Sequence, residues 1–163
     1  MKYEFREEQL INGHNMHRIV ALHDIPMHDV KAGDLGGWVE STWNLSQEGS
    51  CWIKDESMAY QLARISDNAI VMGAAEVYET AKVYDEAVIN GMVSVFGSAR
   101  ICKNMVVASI NDYIVLGPFY DRYVTFAKDS NGKLIHSIIR CGDEIYKYAS
   151  EVMAYKQMIS VHS

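Results

Sequence analysis

From Cys51 onward the chain repeats every six residues. Cut in sixes it reads CWIKDE, SMAYQL, ARISDN, AIVMGA, AEVYET, AKVYDE, AVINGM, VSVFGS, ARICKN and MVVASI. The first position is small in eight of these ten hexads, Val93 and Met105 being the larger pair. The third runs Ile53, Ala59, Ile65, Val71, Val77, Val83, Ile89, Val95, Ile101, Val107. The fifth is often Gly or Asp, which tolerate tight corners and positive φ. On a helix a six-residue period would smear the apolar positions round the circumference. On a short strand, positions one and three point to one side and positions two and four to the other. The pattern therefore predicts a solenoid of short parallel strands, coil stacked on coil at about 4.8 Å. Pro26 and Pro118 are the only prolines and lie outside this region, as a continuous ladder of strands requires.

The pattern resembles the hexapeptide-repeat left-handed parallel β-helix, with three hexads per triangular coil. The left hand is implied by that resemblance alone, since ordinary parallel crossovers are right-handed. The stretch DVKAGDLGGWVES…NLSQEGSCWI resembles the segment before the repeats in functionally uncharacterised hexapeptide-repeat proteins of enterobacteria and their prophages. Residues 18–53 carry this likeness most specifically. GPFYDRYVTFAKDSNGKL…IRCG resembles a C-terminal module of prophage members. No activity comes with the resemblance.

Gly33, Gly36 and Gly37 look at first like a phosphate-cradling loop. Such a loop needs a helix N-terminus behind it, and strand and corner follow instead. GDLGGWVE is thus read as the tight lead-in to the first coil, with Trp38 covering the end of the apolar shaft.

KYEFRE and HRIVALHDI read as two strands joined at Asn12-Gly13. YIVLG, RYVTFAK and KLIHSIIR read as three more, the last two joined at Asn131-Gly132. After Gly142, the spacing of Ile145, Ala149, Val152 and Met153 predicts a helix that packs on the hairpin. The expected fold is mainly β and one domain. It has an N-terminal β cap over residues 1–38, a solenoid of about three to four coils over 39–112, and a C-terminal β-hairpin plus α-helix over 113–163.

The net charge of −6 argues against direct nucleic-acid binding. No signal peptide and no membrane-spanning run is read in the sequence, so no membrane partner is expected. Cys51, Cys102 and Cys141 are odd in number and widely spaced, which fits a reducing cytoplasm. The six histidines are His14, His17, His23, His28, His136 and His162, so none falls inside the hexads. Hexapeptide acyltransferases, by the resemblance, use a His base and a long loop. Carbonic-anhydrase-like members need three His on one zinc. Neither set is found, so no catalytic residue, metal or cofactor is expected. Cys51 is read as packing, and Cys141 beside Arg140 lacks a base partner.

With three hexads per coil, residues eighteen apart share a face. The first face carries Tyr60, Tyr78 and Phe96, an aromatic ladder. The second carries Arg64, Lys82 and Arg100, a basic ladder that Asp67, Asp85 and Glu86 would neutralise. Both are candidate partner-binding surfaces. The third carries Trp52, Ile70, Val88 and Val106, with Met72 and Ala108 beside them. This apolar strip needs a cover: the C-terminal helix, a second copy in a homodimer or trimer, or a foreign protein. The reading is a non-enzymatic phage-type binding protein that engages or inhibits a host protein, such as a defence component. The alternatives are an acyltransferase-like enzyme with an unorthodox site and a structural, self-assembling protein.

Overall fold

The computed structural model describes residues 1–140. Cys141, His162 and the helix expected after Gly142 lie outside the described residues. Ten short strands, β4 (Trp52–Ile53) through β13 (Val106–Val107), follow one another at corners. They stack in three parallel sheets. One holds Trp52–Ile53, Ile70–Met72, Val88–Asn90 and Val106–Val107, another Arg64–Ile65, Lys82–Val83 and Arg100–Ile101, and the third Leu35–Val39, Met58–Ala59, Glu76–Val77 and Ser94–Val95. Trp52 stands beside Ile70, Ile70 beside Val88, and Val88 beside Val106, the expected eighteen-residue period. Main-chain N–H groups donate down the stack, as from Ile70 to the Ala87 carbonyl at 3.1 Å and from Val88 to that of Met105 at 2.9 Å.

Hexad positions one and three all point inward. Ala63, Ala69, Ala75, Ala81 and Ala87 are fully buried beside Ile65, Val71, Val77, Val83 and Ile89. The alanines leave room for the β-branched neighbours, so one dry shaft runs the length of the solenoid. The fifth position is the corner, and every one from Asp55 to Lys103 has positive φ. That holds for Gln61, Glu79 and Lys103 as well as for glycine and aspartate. The corner side chain offsets part of the strain by bonding the next coil. Asp67 Oδ2 accepts from Asp85 N at 3.0 Å, and Asp85 Oδ2 from Lys103 N at 2.9 Å. Asp55 Oδ2 and Gln61 Oε1 do the same for Gly73 N and Glu79 N.

The first coil is longer. Trp38 of β3 (Leu35–Val39) pairs with Met58, and Leu45 with Ile65, each twenty positions on. Buried Asn44 holds the extra residues, its amide nitrogen donating to the Gln61 and Ala63 carbonyls at 3.1 and 2.8 Å. β1 (Tyr3–Ile11) and β2 (His14–Ala21) form the expected hairpin, and β2 pairs antiparallel with β3. Here the glycines find their use. A Cβ on Gly36 would come within 2.6 Å of Ile19 Cγ1 and 2.7 Å of the Ile53 carbonyl oxygen. One on Gly37 would run into the Ser57 carbonyl oxygen. Trp38 does not cover the shaft. It faces outward with Arg18 at 5.2 Å from its ring, and Ile19, Tyr3 and Leu45 join the core in its place.

At the other end, β14 (Tyr113–Phe119), β15 (Arg122–Lys128) and β16 (Leu134–Arg140) form a separate antiparallel sheet. Its inner face meets the last coils through Thr125, Ala127 and Ile139, all buried.

Candidate binding surfaces

The aromatic ladder forms as a stack of rings. Tyr60 lies 5.2 Å from Tyr78, nearly parallel, and Tyr78 lies 5.4 Å from Phe96. His14 of the hairpin adds a fourth ring at 4.5 Å from Tyr60, held by Glu40 Oε2 at 2.9 Å from Nδ1. The hexad period contained no sign of His14, because it arrives from outside the repeat. Burial, with the Glu76 carboxylate next in weight, pushes the Tyr60 phenol up to about 12.

The basic ladder is dismantled rather than presented. Arg64 sits at 4.5 Å over the Trp43 ring and donates to the Trp43 carbonyl at 2.7 Å. Lys82 stands 5.4 Å from the Tyr84 ring centre. Arg100 is buried, donating to the Thr80 carbonyl at 2.8 Å. Arg100 is therefore no part of an open partner face. Asp67 and Asp85 were expected to balance these charges, but each gives a carboxylate oxygen to a corner amide.

The apolar strip divides in two. Trp52 is fully buried and Ile70 nearly so, under a cover the sequence reading did not weigh. That cover is the N-terminal segment. Tyr3 meets Trp52 edge-on at 6.3 Å, and Ile25 and Val30 join the same apolar cluster. Lys54 Nζ donates to the His28 carbonyl at 3.0 Å, and the His28 ring Nε2 meets the Asn68 carbonyl at 2.9 Å. Met72, Val88 and Val106 stay partly open. Val106 leads into a cavity of about 610 Å³ walled by Ile114, Phe126 and Leu134 of the C-terminal sheet.

Among the described residues, that sheet carries a cluster of open apolar side chains. Its outer face shows Ile114, Leu116, Leu134 and Ile138, each at least 40% exposed, around Phe126 and Val124. Arg122, Lys128, Arg140 and His136 lie on the same face and are exposed. Asp121 reaches Arg140 at 3.2 Å. The sequence did hold a signal. Ile114-Val115-Leu116 and Ile138-Ile139 put apolar residues on both parities of a strand, so one set had to face outward.

Lys2 is buried, with Nζ donating to the Cys51 carbonyl at 2.7 Å and lying 3.1 Å from Cys51 Sγ. Burial lowers the Lys2 pKa and raises that of the Cys51 thiol, which keeps the sulfur protonated and poorly nucleophilic. Among the described residues no three His, Cys, Asp or Glu side chains gather as metal ligands.

No family model matches the chain. An uncharacterized acetyltransferase of Escherichia coli strain K12, YdcK, is 34% identical over 84 residues, which cover 45% of this chain and 25% of that protein. The chain thus spans about a quarter of its relative's length. Solenoid and similarity together fit hexapeptide-repeat proteins of enterobacteria.

Proposed function

We propose that this is a non-enzymatic β-solenoid binding protein that engages a partner protein through the outer face of its C-terminal sheet. One observation carries the reading: among the described residues, four large exposed apolar side chains cluster on this one face, Ile114, Leu116, Leu134 and Ile138. Exposed apolar patches of a few hundred Å² mark interaction sites. Arg122, Lys128 and Arg140 stand on that face of a chain with net charge −6, so the partner has acidic groups around an apolar centre. The likeness of residues 18–53 to prophage-borne proteins makes a host protein the partner class, a defence component among the candidates. The solenoid serves as the rigid mount.

The test is co-purification from host lysate with Ile114→Glu/Ile138→Glu, both positions exposed and on neither side of the shaft. Wild type should hold a host protein at one-to-one stoichiometry. The variant should lose it while keeping its melting temperature. Sedimentation of the purified chain separates the homo-oligomer reading: a dimer or trimer broken by the same variant means that a second copy is the partner. A host complex that survives the variant removes the sheet from consideration. A second reading, acyl transfer, is favoured by the description of YdcK as an acetyltransferase. Steady turnover of acetyl-CoA with an amine or hydroxyl acceptor would establish it.

A further inference from the structure

The ring column of the first face is closed at one end and open at the other. His14 lies over Tyr60, and Glu40 fixes His14 in place. Below, Tyr60 covers Tyr78 and Tyr78 covers Phe96. Phe96 is the last ring, 39% exposed, and it borders a cavity of about 450 Å³ walled by Ile110, Tyr113, Val115 and Tyr123. Among the described residues no further aromatic ring continues the column, and Ile114 lines the cavity in its place. One coil length beyond Phe96 stands Ile114, but the chain has already left the solenoid through the 3₁₀ turn Ile110–Asp112. β14 then diverges into its own sheet.

The main-chain edge at this point is satisfied while the ring is not. The Tyr113 hydroxyl donates to the Ser94 carbonyl at 2.8 Å and hydrogen-bonds the Phe96 main chain. Phe96 stacks on Tyr78 above, and its other side faces the cavity. The coil spacing of about 4.8 Å sets ring against ring at stacking distance, so a planar ring laid on the open side of Phe96 would continue the column at the same spacing. Ser98 and Tyr123 also line the cavity and bring hydroxyl-bearing side chains to it, whereas the Tyr113 hydroxyl is taken by the main chain. The chain carries a net charge of −6, which disfavours an anionic group there.

We infer that the space beneath Phe96 binds an uncharged planar heteroaromatic ring of the nucleobase class, stacked as the next rung of the column. A phosphorylated ligand is disfavoured by the net negative charge of the chain. This separates the site from one for nucleotide cofactors, and it does not depend on the partner-binding reading.

Adenosine is the probe, and proton NMR of the aromatic region is the readout. Expected are saturable ring-current shifts centred on Phe96, with Tyr60 little moved and with AMP binding several-fold more weakly. Phe96→Leu keeps an apolar side chain at an exposed position and should weaken adenosine by about tenfold or more, with an unchanged melting temperature. The inference is overturned by unsaturable shifts, by shifts spread equally over Tyr60 and Phe126, or by full adenosine affinity in Phe96→Leu. It is overturned equally if the wild-type spectrum does not move at about 10 mM adenosine.

Discussion

The two ends of the solenoid solve one problem by different means. Each end is a strand edge with main-chain groups that would otherwise recruit another chain. At the first coil, backbone answers backbone: β2 lies antiparallel on β3, and Trp38 N donates to the Ser57 carbonyl at 2.9 Å. The parallel stack thus passes into the hairpin as one six-stranded sheet, with Gly36 and Gly37 set tightly against Ile19, Ile53 and Ser57. At the last coil side-chain hydroxyls answer much of the backbone, beside one antiparallel main-chain bridge between Met105 and Asp129. Tyr113 bonds the Ser94 carbonyl, and Thr125 Oγ1 accepts from Arg100 N at 2.9 Å. Hydroxyls terminate a ladder without extending it, so the closing sheet stays a separate layer with one face to the outside. An end that continues the sheet is spent in closing; an end capped by a separate sheet leaves a surface available.

The contrast is broken most directly at Gly37. Gly37→Ala pushes a methyl group into the Ser57 carbonyl and within 2.5 Å of Ile53 Cγ2. Neither neighbour has free space, so the expected cost is about 3 kcal/mol or more in denaturant unfolding. A variant as stable as wild type would mean that the first coil yields, and the backbone-locked end would be no tighter than the other. Thr125→Val makes the matching test at the far end. It keeps shape but leaves the buried Arg100 amide without its acceptor, for about 1–3 kcal/mol. Hydrogen exchange at Arg100 should quicken while that at Met58 does not. Equal quickening at both would show the two ends opening as one unit.

The smallest expected effect is alkaline. Tyr60, beneath the hairpin, and Tyr84, which bonds Ser137 of the closing sheet, are both pushed up to about 12, chiefly by burial. In the unfolded chain both titrate near 10. The folded state therefore holds protons that the unfolded state has lost, and this share of stability is present below pH 10 and disappears as pH rises through 12. Absorbance titration of the phenols checks it, with Tyr84→Phe removing the part that belongs to the far end. If every tyrosine ionises near 10, neither end shields its phenol.

The solenoid was legible because its register is local. A hexad states which side chains point inward, and Ala63 through Val107 follow it without exception. The terminal strands were legible for the same reason, as were the turns at Asn12-Gly13 and Asn131-Gly132. What covers an outward position is not local. Trp52 and Ile70 stand at outward hexad positions, yet the N-terminal segment, with Tyr3, Ile25 and Val30, packs in the same cluster. Arg100 likewise reads as surface, and only the sheet after Tyr113 buries it. The glycines misled in another way. GDLGG looks like an anion loop because glycine permits close approach, and the approaching group proved to be the protein's own Ile19 and Ser57.

The corner bonds have a bearing on how such a chain lengthens over evolutionary time. Each links a corner side chain to the amide of the equivalent residue one coil later, as Asp67 does to Asp85 and Asp85 to Lys103. Duplicating one eighteen-residue unit would copy the donor, the acceptor and all three faces together, leaving every joint matched at both cuts. Duplicating a single hexad would pass each following side chain to the neighbouring face, so that Arg100 would arrive where Val106 belongs, away from Thr125. The gene can therefore be expected to grow or shrink in whole coils, with the two unlike ends carried along unchanged.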